Sequence, residues 1–203
     1  MLHVQDLIED IINTTVPDER KLALAPLVKY IQESQKEHGL TQLNFICTHN
    51  SRRSQFSQVW AHIAADHFGI KTSSHSGGVE ITACNERTIA SLKRTGLVVN
   101  TTREDTANSS NPRYEILFKT GSSPILLFSK LFNDSSSPSE NFATIMTCAH
   151  ADENCPVIPG AENRIAVRYV DPKKHDDTNL EEIMYDERSL QIANEMFYAF
   201  GEL

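Results

Sequence analysis

A chain of 203 residues with 39% apolar residues can bury one well-formed core with extensions. Its formal charge of −8 argues against a nucleic-acid partner, which would favour a basic face. No stretch resembles a signal peptide and no apolar run approaches membrane-spanning length, so a cytoplasmic location without a membrane partner is the expectation. The four cysteines, Cys47, Cys84, Cys148 and Cys155, are then expected to be reduced at rest, and any disulfide would be catalytic or regulatory.

Residues 1–40 predict a helical extension. Leu7, Ile8, Ile11 and Ile12 give a short amphipathic set, and Leu24, Leu27, Val28 and Ile31 follow i, i+3, i+4, i+7 up to Gly39, a natural residue just past a helix end. Pro17 suits a first helical turn, whereas Pro26 is expected to break or kink the segment. Residues 41–203 are expected to form one α/β unit. Its first strand, about 43–46, ends in Cys47; Arg53 comes six residues later, followed by Ser54 and an apolar stripe of Phe56, Val59, Trp60, Ile63 and Ala64 at helical spacing.

A cysteine ending a strand, a short loop and an arginine at a helix start describe an oxyanion-binding loop. The candidate binding residues are Thr48, His49, Asn50, Ser51, Arg52, Arg53 and Ser54. Their backbone N–H groups could turn around one tetrahedral anion while the helix N-terminus adds positive potential. The planar fork of Arg53 could take two oxygens, and a field of this sign favours a nucleophilic thiolate. The bland alternative is a structural cysteine at a strand end, with Arg53 a solvated helix residue.

A second strand is expected near 70–74, and Asn85 reads as the N-cap of a helix over 86–93 that closes at Gly96. Cys84, one residue before that cap, reads as a small packing residue. After a polar stretch over 101–112, apolar runs at 114–118 and 125–128 flank a Gly-Ser-Ser-Pro turn and predict a β-hairpin insertion spanning about 110–130. A third strand over 142–146 leads to Cys148, and Cys155-Pro156 follows. A fourth strand over 164–170 ends at Asp171-Pro172. A closing helix over 179–200 is expected to bury Ile183, Leu190, Ile192, Ala193, Met196, Phe197 and Phe200. Strands alternating with helices argue for a doubly wound parallel sheet, in which ligands bind beyond the carboxyl ends of the strands.

The loop around Cys47, Asn50, Arg53 and Ser54 resembles the Cys-x-Gly-Asn-x-Cys-Arg-Ser loop of low-molecular-weight protein tyrosine phosphatases and of the arsenate reductases that share their fold. His49 stands where that pattern has glycine, and Arg52 where it has a second cysteine. The segment with Cys148, Asp152, Asn154, Cys155 and Pro156 resembles the Cys-x6-Cys-Pro run of thioredoxin-linked arsenate reductases. The resemblance covers 43 to about 200, leaving out the extension and the hairpin. It implies a phosphotyrosine phosphatase I-like sheet of four parallel strands in the order 2-1-3-4, with Cys47 and Cys148 beyond neighbouring strands.

It also implies a reaction, arsenate reduction to arsenite in arsenic detoxification. Arsenate would sit in the loop on Arg53, Ser54 would hydrogen-bond the Cys47 sulfur, and Cys47 would attack arsenic with Asp171 as acid. Cys148 would then take over the bond to Cys47, and Cys155 the bond to Cys148, ending in a disulfide reduced by a thioredoxin-like partner. A helix between Cys148 and Cys155 would be incompatible with that last bond, so oxidation would have to unwind it. The alternative is a tyrosine phosphatase acting on a phosphoprotein or other phosphomonoester through a Cys47 phosphoenzyme, with Asp171 protonating the leaving group. No cofactor or metal is expected. Zinc held by Cys148, His150 and Cys155, and a phosphate-binding or redox-sensing regulator without turnover, are the remaining readings.

Overall fold

The structure is a computed structural model that describes residues 4–102, 110–155 and 157–203. Part of the polar stretch expected over 101–112, and Pro156 of the cysteine segment, lie outside the described residues.

Helix α1 (Val4–Asn13) buries Val4, Ile8 and Ile11, and α2 (Asp18–His38) buries Leu24, Leu27, Tyr30 and Ile31. Gly39 ends α2 at φ +66°, a conformation that costs glycine little, and returns its N–H to the Gln35 carbonyl at 3.0 Å. The break expected at Pro26 does not occur, because α2 runs through it. Pro26 lies on the exposed face beside Leu22, which is 77% exposed, so the carbonyl freed by the missing N–H can turn to water.

Strand β1 (Thr41–Cys47) is buried along nearly its whole length, as a strand covered on both faces must be. Helix α3 (Arg53–His67) follows, then β2 (Thr72–Gly78). Asn85 caps α4 (Glu86–Arg94) as expected, its side chain accepting from the Arg87 N–H at 2.9 Å. The predicted hairpin gains a partner: β3 (Val98–Thr101) pairs antiparallel with β4 (Tyr114–Leu117), which pairs antiparallel with β5 (Ile125–Leu127). Four residues, three of them exposed and only Val99 half-buried, carry too little alternation for β3 to be read from sequence.

Strand β6 (Phe142–Met146) is wholly buried. It leads through the short helix α5 (Ala149–Asn154) to β7 (Ala161–Ala166), and a 3-10 turn (Pro172–His175) precedes α6 (Glu181–Gly201). The β7 strand starts earlier than predicted. Residues 167–170 still follow the sheet, with Val167 N–H on the Met146 carbonyl and Tyr169 N–H on the Thr147 carbonyl, each at 3.0 Å. On α6 the expected burial of Ile183 and Leu190 is wrong: they are 60% and 36% exposed. The face against α3 is Tyr185, Ser189, Ile192, Met196 and Phe200, a 3.6-residue series from which Ile183 and Leu190 point away. Ser189 belongs there because it accepts the Trp60 indole N–H at 3.0 Å.

The main sheet has the order β2-β1-β6-β7, parallel throughout, which is the predicted 2-1-3-4 arrangement. The winding reverses between β1 and β6, so Cys47, Cys148 and Asp171 all follow strand ends on one rim. Among the described residues no helix is long and apolar enough to cross a membrane.

The α2 helix is tied to α6 and to the chain approaching that rim. Arg20 donates to both carboxylate oxygens of Glu195, at 2.8 and 2.7 Å, and to the Arg168 carbonyl at 3.1 Å. The Glu195 side chain is only 2% exposed, so its charge depends on that fork. Arg20→Ala should therefore destabilise the protein by about 3–5 kcal/mol, as expected when a buried charge loses its partner. Lys29→Ala, removing a surface pair with Glu33, should cost under about 1 kcal/mol. Urea unfolding of both variants checks this, and equal small shifts would mean that the Glu195 pair is not a structural anchor.

Candidate active site

The turn after β1 is held from outside by its carbonyl oxygens. Thr48 O accepts from the N–H groups of Val79 and Glu80 at 2.9 and 3.0 Å, and His49 O from the Ser129 hydroxyl at 2.7 Å. Asn50 O accepts from the Gln55 amide at 2.8 Å, and Ser51 O from the Asn85 N–H at 3.0 Å. Among the described residues no backbone N–H from 48 to 53 donates to another protein group. A loop that spends its carbonyls on the scaffold and keeps its N–H groups can turn them to one anion.

The positive φ falls on Asn50, at +46°, one residue beyond His49. The Asn50 side chain, fully buried, fixes that conformation: its amide donates to Ser54 Oγ at 2.9 Å, and its oxygen accepts the Lys130 N–H at 3.0 Å. Ser54 Oγ therefore already accepts one hydrogen bond, and its own proton is free for Cys47 Sγ, 3.1 Å away. Gly77 and Gly78 let β2 close on this assembly. A Cβ on Gly78 would lie 2.7 Å from Asn50 N and 2.8 Å from Thr48 O, and one on Gly77 2.4 Å from Phe132 Cα.

Arg53 crosses the mouth of the loop. One terminal nitrogen donates to Asp171 Oδ2 at 2.6 Å and the other to the Tyr169 carbonyl at 3.1 Å. Its Nε is buried with no hydrogen-bond partner among the described residues, an expensive arrangement unless an oxygen arrives there. Asp171 also accepts the Lys173 N–H at 3.1 Å, capping the 3-10 turn, so its carboxylate is oriented from two sides.

The other predicted binding residues send their side chains elsewhere. His49 meets Glu80 at 3.2 Å, Ser51 Oγ donates to the Ala83 carbonyl at 2.7 Å, and Thr48 Oγ1 lies 3.3 Å from His150 Nδ1. Arg52 turns out of the loop, its Nε donating to the Tyr185 hydroxyl at 2.7 Å; that hydroxyl in turn donates to Asp176 at 2.9 Å. For these four residues only the backbone is available to an anion. Sequence reading missed Ser129, Lys130 and Tyr185 as supports, since each is more than seventy positions from its loop partner and sits in no motif.

The expected disulfide relay is overturned. All four cysteines are free and buried, and none stands near disulfide distance of another. Cys148 and Cys155 cap opposite ends of α5, about 10 Å apart at 1.5 Å per residue, where a disulfide needs Cα atoms roughly 4.4–6.8 Å apart. Cys148 Sγ is engaged in the capping, accepting the Ala151 N–H at 3.3 Å. Burial pushes the Cys155 thiol up, away from its reactive form, and pushes Cys84 up to about 12. The Cys47 to Cys148 to Cys155 sequence, and with it the role of a thioredoxin-like reductant, is withdrawn. Among the described residues no group of His, Cys, Asp or Glu side chains could hold a metal ion, so the zinc reading gains no support.

Comparison with known proteins agrees with the fold. An arsenate reductase of Halalkalibacterium halodurans is 24% identical over 137 residues, 68% of this chain and 78% of that protein. One of Bacillus licheniformis is 24% identical over 158 residues, 78% of this chain and 93% of its own. A low-molecular-weight phosphotyrosine phosphatase of Vibrio cholerae O395 superposes with a TM-score of 0.50 at 10% identity, covering 80% of this chain and 95% of that one. An arsenate reductase in a phosphate-binding state gives 0.51 at 16% identity, covering 80% and 98%. No family model matches the chain. The fold is thus that of the low-molecular-weight phosphatase and arsenate reductase superfamily, and these similarities support an enzymatic role within it without selecting a reaction.

Gly78→Ala tests the support of the loop from behind. The added methyl must push β2 or the loop aside, so stability should fall by roughly 1–3 kcal/mol. Inorganic phosphate should bind about tenfold or more weakly if a misplaced cradle loses on the order of 1.4 kcal/mol. Calorimetric titration with phosphate would read the effect, and unchanged affinity would show that the close approach to Asn50 does not shape the loop.

Proposed function

We propose that this protein hydrolyses phosphomonoesters through a covalent phosphocysteine at Cys47. The observation that carries the reading is the single rim where Cys47, hydrogen-bonded by Ser54, lies beneath a loop of unspent N–H groups, with Arg53 and Asp171 already in contact at its mouth.

In this reading the phosphate dianion takes the N–H groups of residues 48–53 and the Nε edge of Arg53. The Cys47 sulfur attacks phosphorus in line with the ester oxygen, forming an S–P bond as the P–O bond to the leaving group breaks. Asp171, in its protonated form, gives its proton to the departing oxygen. Water then attacks the phosphocysteine while the Asp171 carboxylate takes its proton. The S–P bond breaks, and inorganic phosphate and the starting thiolate are regenerated. Ser54 donates to the sulfur as it accumulates charge on leaving. Turnover by water needs no second thiol, in keeping with four free cysteines of which two have their thiols raised by burial.

Arg53 and Asp171 face a conflict that the substrate resolves. At 2.6 Å the guanidinium holds the same carboxyl group that has to reach the leaving oxygen. A bound dianion competes for the same guanidinium edge and so frees the Asp171 carboxyl to turn to the departing oxygen.

Cys47→Ser should abolish hydrolysis of p-nitrophenyl phosphate while leaving phosphate binding measurable. Asp171→Asn should lower kcat for phenyl phosphate by about 10²–10⁴-fold, and far less for p-nitrophenyl phosphate, whose leaving group departs without a proton. Cys148→Ser and Cys155→Ser should keep the activity. Steady-state assays on the four variants decide the matter: hydrolysis that survives Cys47→Ser, or that needs Cys155, would overturn the proposal.

A further inference from the structure

A cleft of ≈ 540 Å³ opens beside the loop, and its walls include His49, Arg52, Asn85, Glu86, Tyr114 and Lys173. It adjoins the outer side of the anion loop, through His49 and Arg52, and the turn that follows Asp171, through Lys173. Its wall at Lys173 lies two residues from Asp171, the group proposed to protonate the leaving oxygen.

The charges around the cleft are unevenly spent. Most nearby carboxylates already have a cation: Asp171 has Arg53 at 2.6 Å, Asp176 has Arg52 at 3.6 Å, and Asp177 and Glu181 share Arg87, each at 2.7 Å. Glu80 meets His49 at 3.2 Å. Glu86, also on the cleft wall, is 84% exposed in its side chain and lies 3.7 Å from Arg87. The ammonium of Lys173 has no hydrogen bond or ion pair among the described residues. Its backbone is fixed, because its N–H is bound to Asp171 Oδ1 at 3.1 Å. A cation with no partner among the described residues thus stands two residues from Asp171, in a chain whose net charge is −8. The remaining walls mix polar side chains with Ala83, Pro112 and Tyr114.

We propose that this cleft receives a leaving group with an acidic substituent of its own, so that the substrates are phosphomonoesters bearing a second anionic group that pairs with Lys173. The inference rests on the hydrolysis proposed at Cys47. Its sign is what an acidic protein needs: its overall field repels a doubly anionic substrate, and a local cation offsets that repulsion where the second anion is seated.

The test compares phenyl phosphate with 4-carboxyphenyl phosphate at low ionic strength. The expected result is a kcat/KM ratio favouring the carboxylated ester by about three- to fivefold, the worth of one partly exposed ion pair, and declining at high salt. Lys173→Ala should bring the ratio to near one, and Lys173→Glu should invert it. Lys174→Ala, a neighbouring exposed lysine outside the cleft walls, should leave the ratio as in the parent. A ratio near one in the parent, or one insensitive to Lys173→Glu, overturns the inference while leaving the hydrolysis intact. If neither ester is hydrolysed, displacement of bound phosphate by phenylphosphonate and 4-carboxyphenylphosphonate reads the cleft alone. A Lys173-dependent preference there supports the acidic subsite although the proposed reaction has failed, and the lack of one overturns it.

Discussion

The six residues between Cys47 and Ser54 cannot hold their shape by themselves, because a loop that keeps its N–H groups unspent on one side must point its carbonyls the other way. Every carbonyl so turned needs a donor. The chain supplies them from β2's exit, from Phe128–Leu131, from the start of α4 and from α3 itself: Val79, Glu80, Ser129, Asn85 and Gln55 each donate to one of these carbonyls. Asn50 is the centre of this arrangement, since its left-handed backbone makes the reversal and its amide ties Lys130 to Ser54. The position of the Cys47 sulfur follows from that closure.

Around the loop, cations and acids are matched by geometry more than by number. Arg53, Arg52 and Arg87 each bind acids from the segment between β7 and α6, which carries Asp171, Asp176 and Asp177, and Arg87 also binds Glu181, the first residue of α6. That segment is therefore held to the anion loop and to α4 by three guanidinium groups. Arg52 does this from a position expected to touch the anion itself. Its planar fork reaches Tyr185 on α6, whose hydroxyl burial pushes to a higher pKa and keeps as a donor to Asp176.

What the sequence made legible was local. A strand ending in cysteine, an arginine at the next helix start and an asparagine cap ahead of α4 each have a short-range cause and are readable; alternating strands and helices give the parallel sheet, while its order came only with the family resemblance. Contacts that depend on distant partners were not. Tyr185, Ser129 and Lys130 look like ordinary residues until the fold brings them to the loop. Ile183 and Leu190 were read as buried because they are apolar, but the phase of α6 is set by Trp60 and Ser189, which no spacing reveals. Pro26 failed as a helix breaker because its cost depends on which face meets water. The spacing of Cys148 and Cys155 gave the right residue types for a relay, yet spacing says nothing of the helix that keeps them apart.

Gly78 has an implication for moving this chemistry between proteins. Its hydrogen stands where a methyl would strike both Thr48 and Asn50, so the cradle's shape is partly written in a strand that begins two dozen residues later. A peptide cut from β1 through α3 would carry every residue of the Cys-x5-Arg pattern and lack the surface that folds it. Grafting the short pattern onto another strand-to-helix turn would fail for the same reason. The portable unit is at least β1 through α4 together with Phe128–Leu131, and a search by the short pattern alone will collect many chains that cannot bend around an anion.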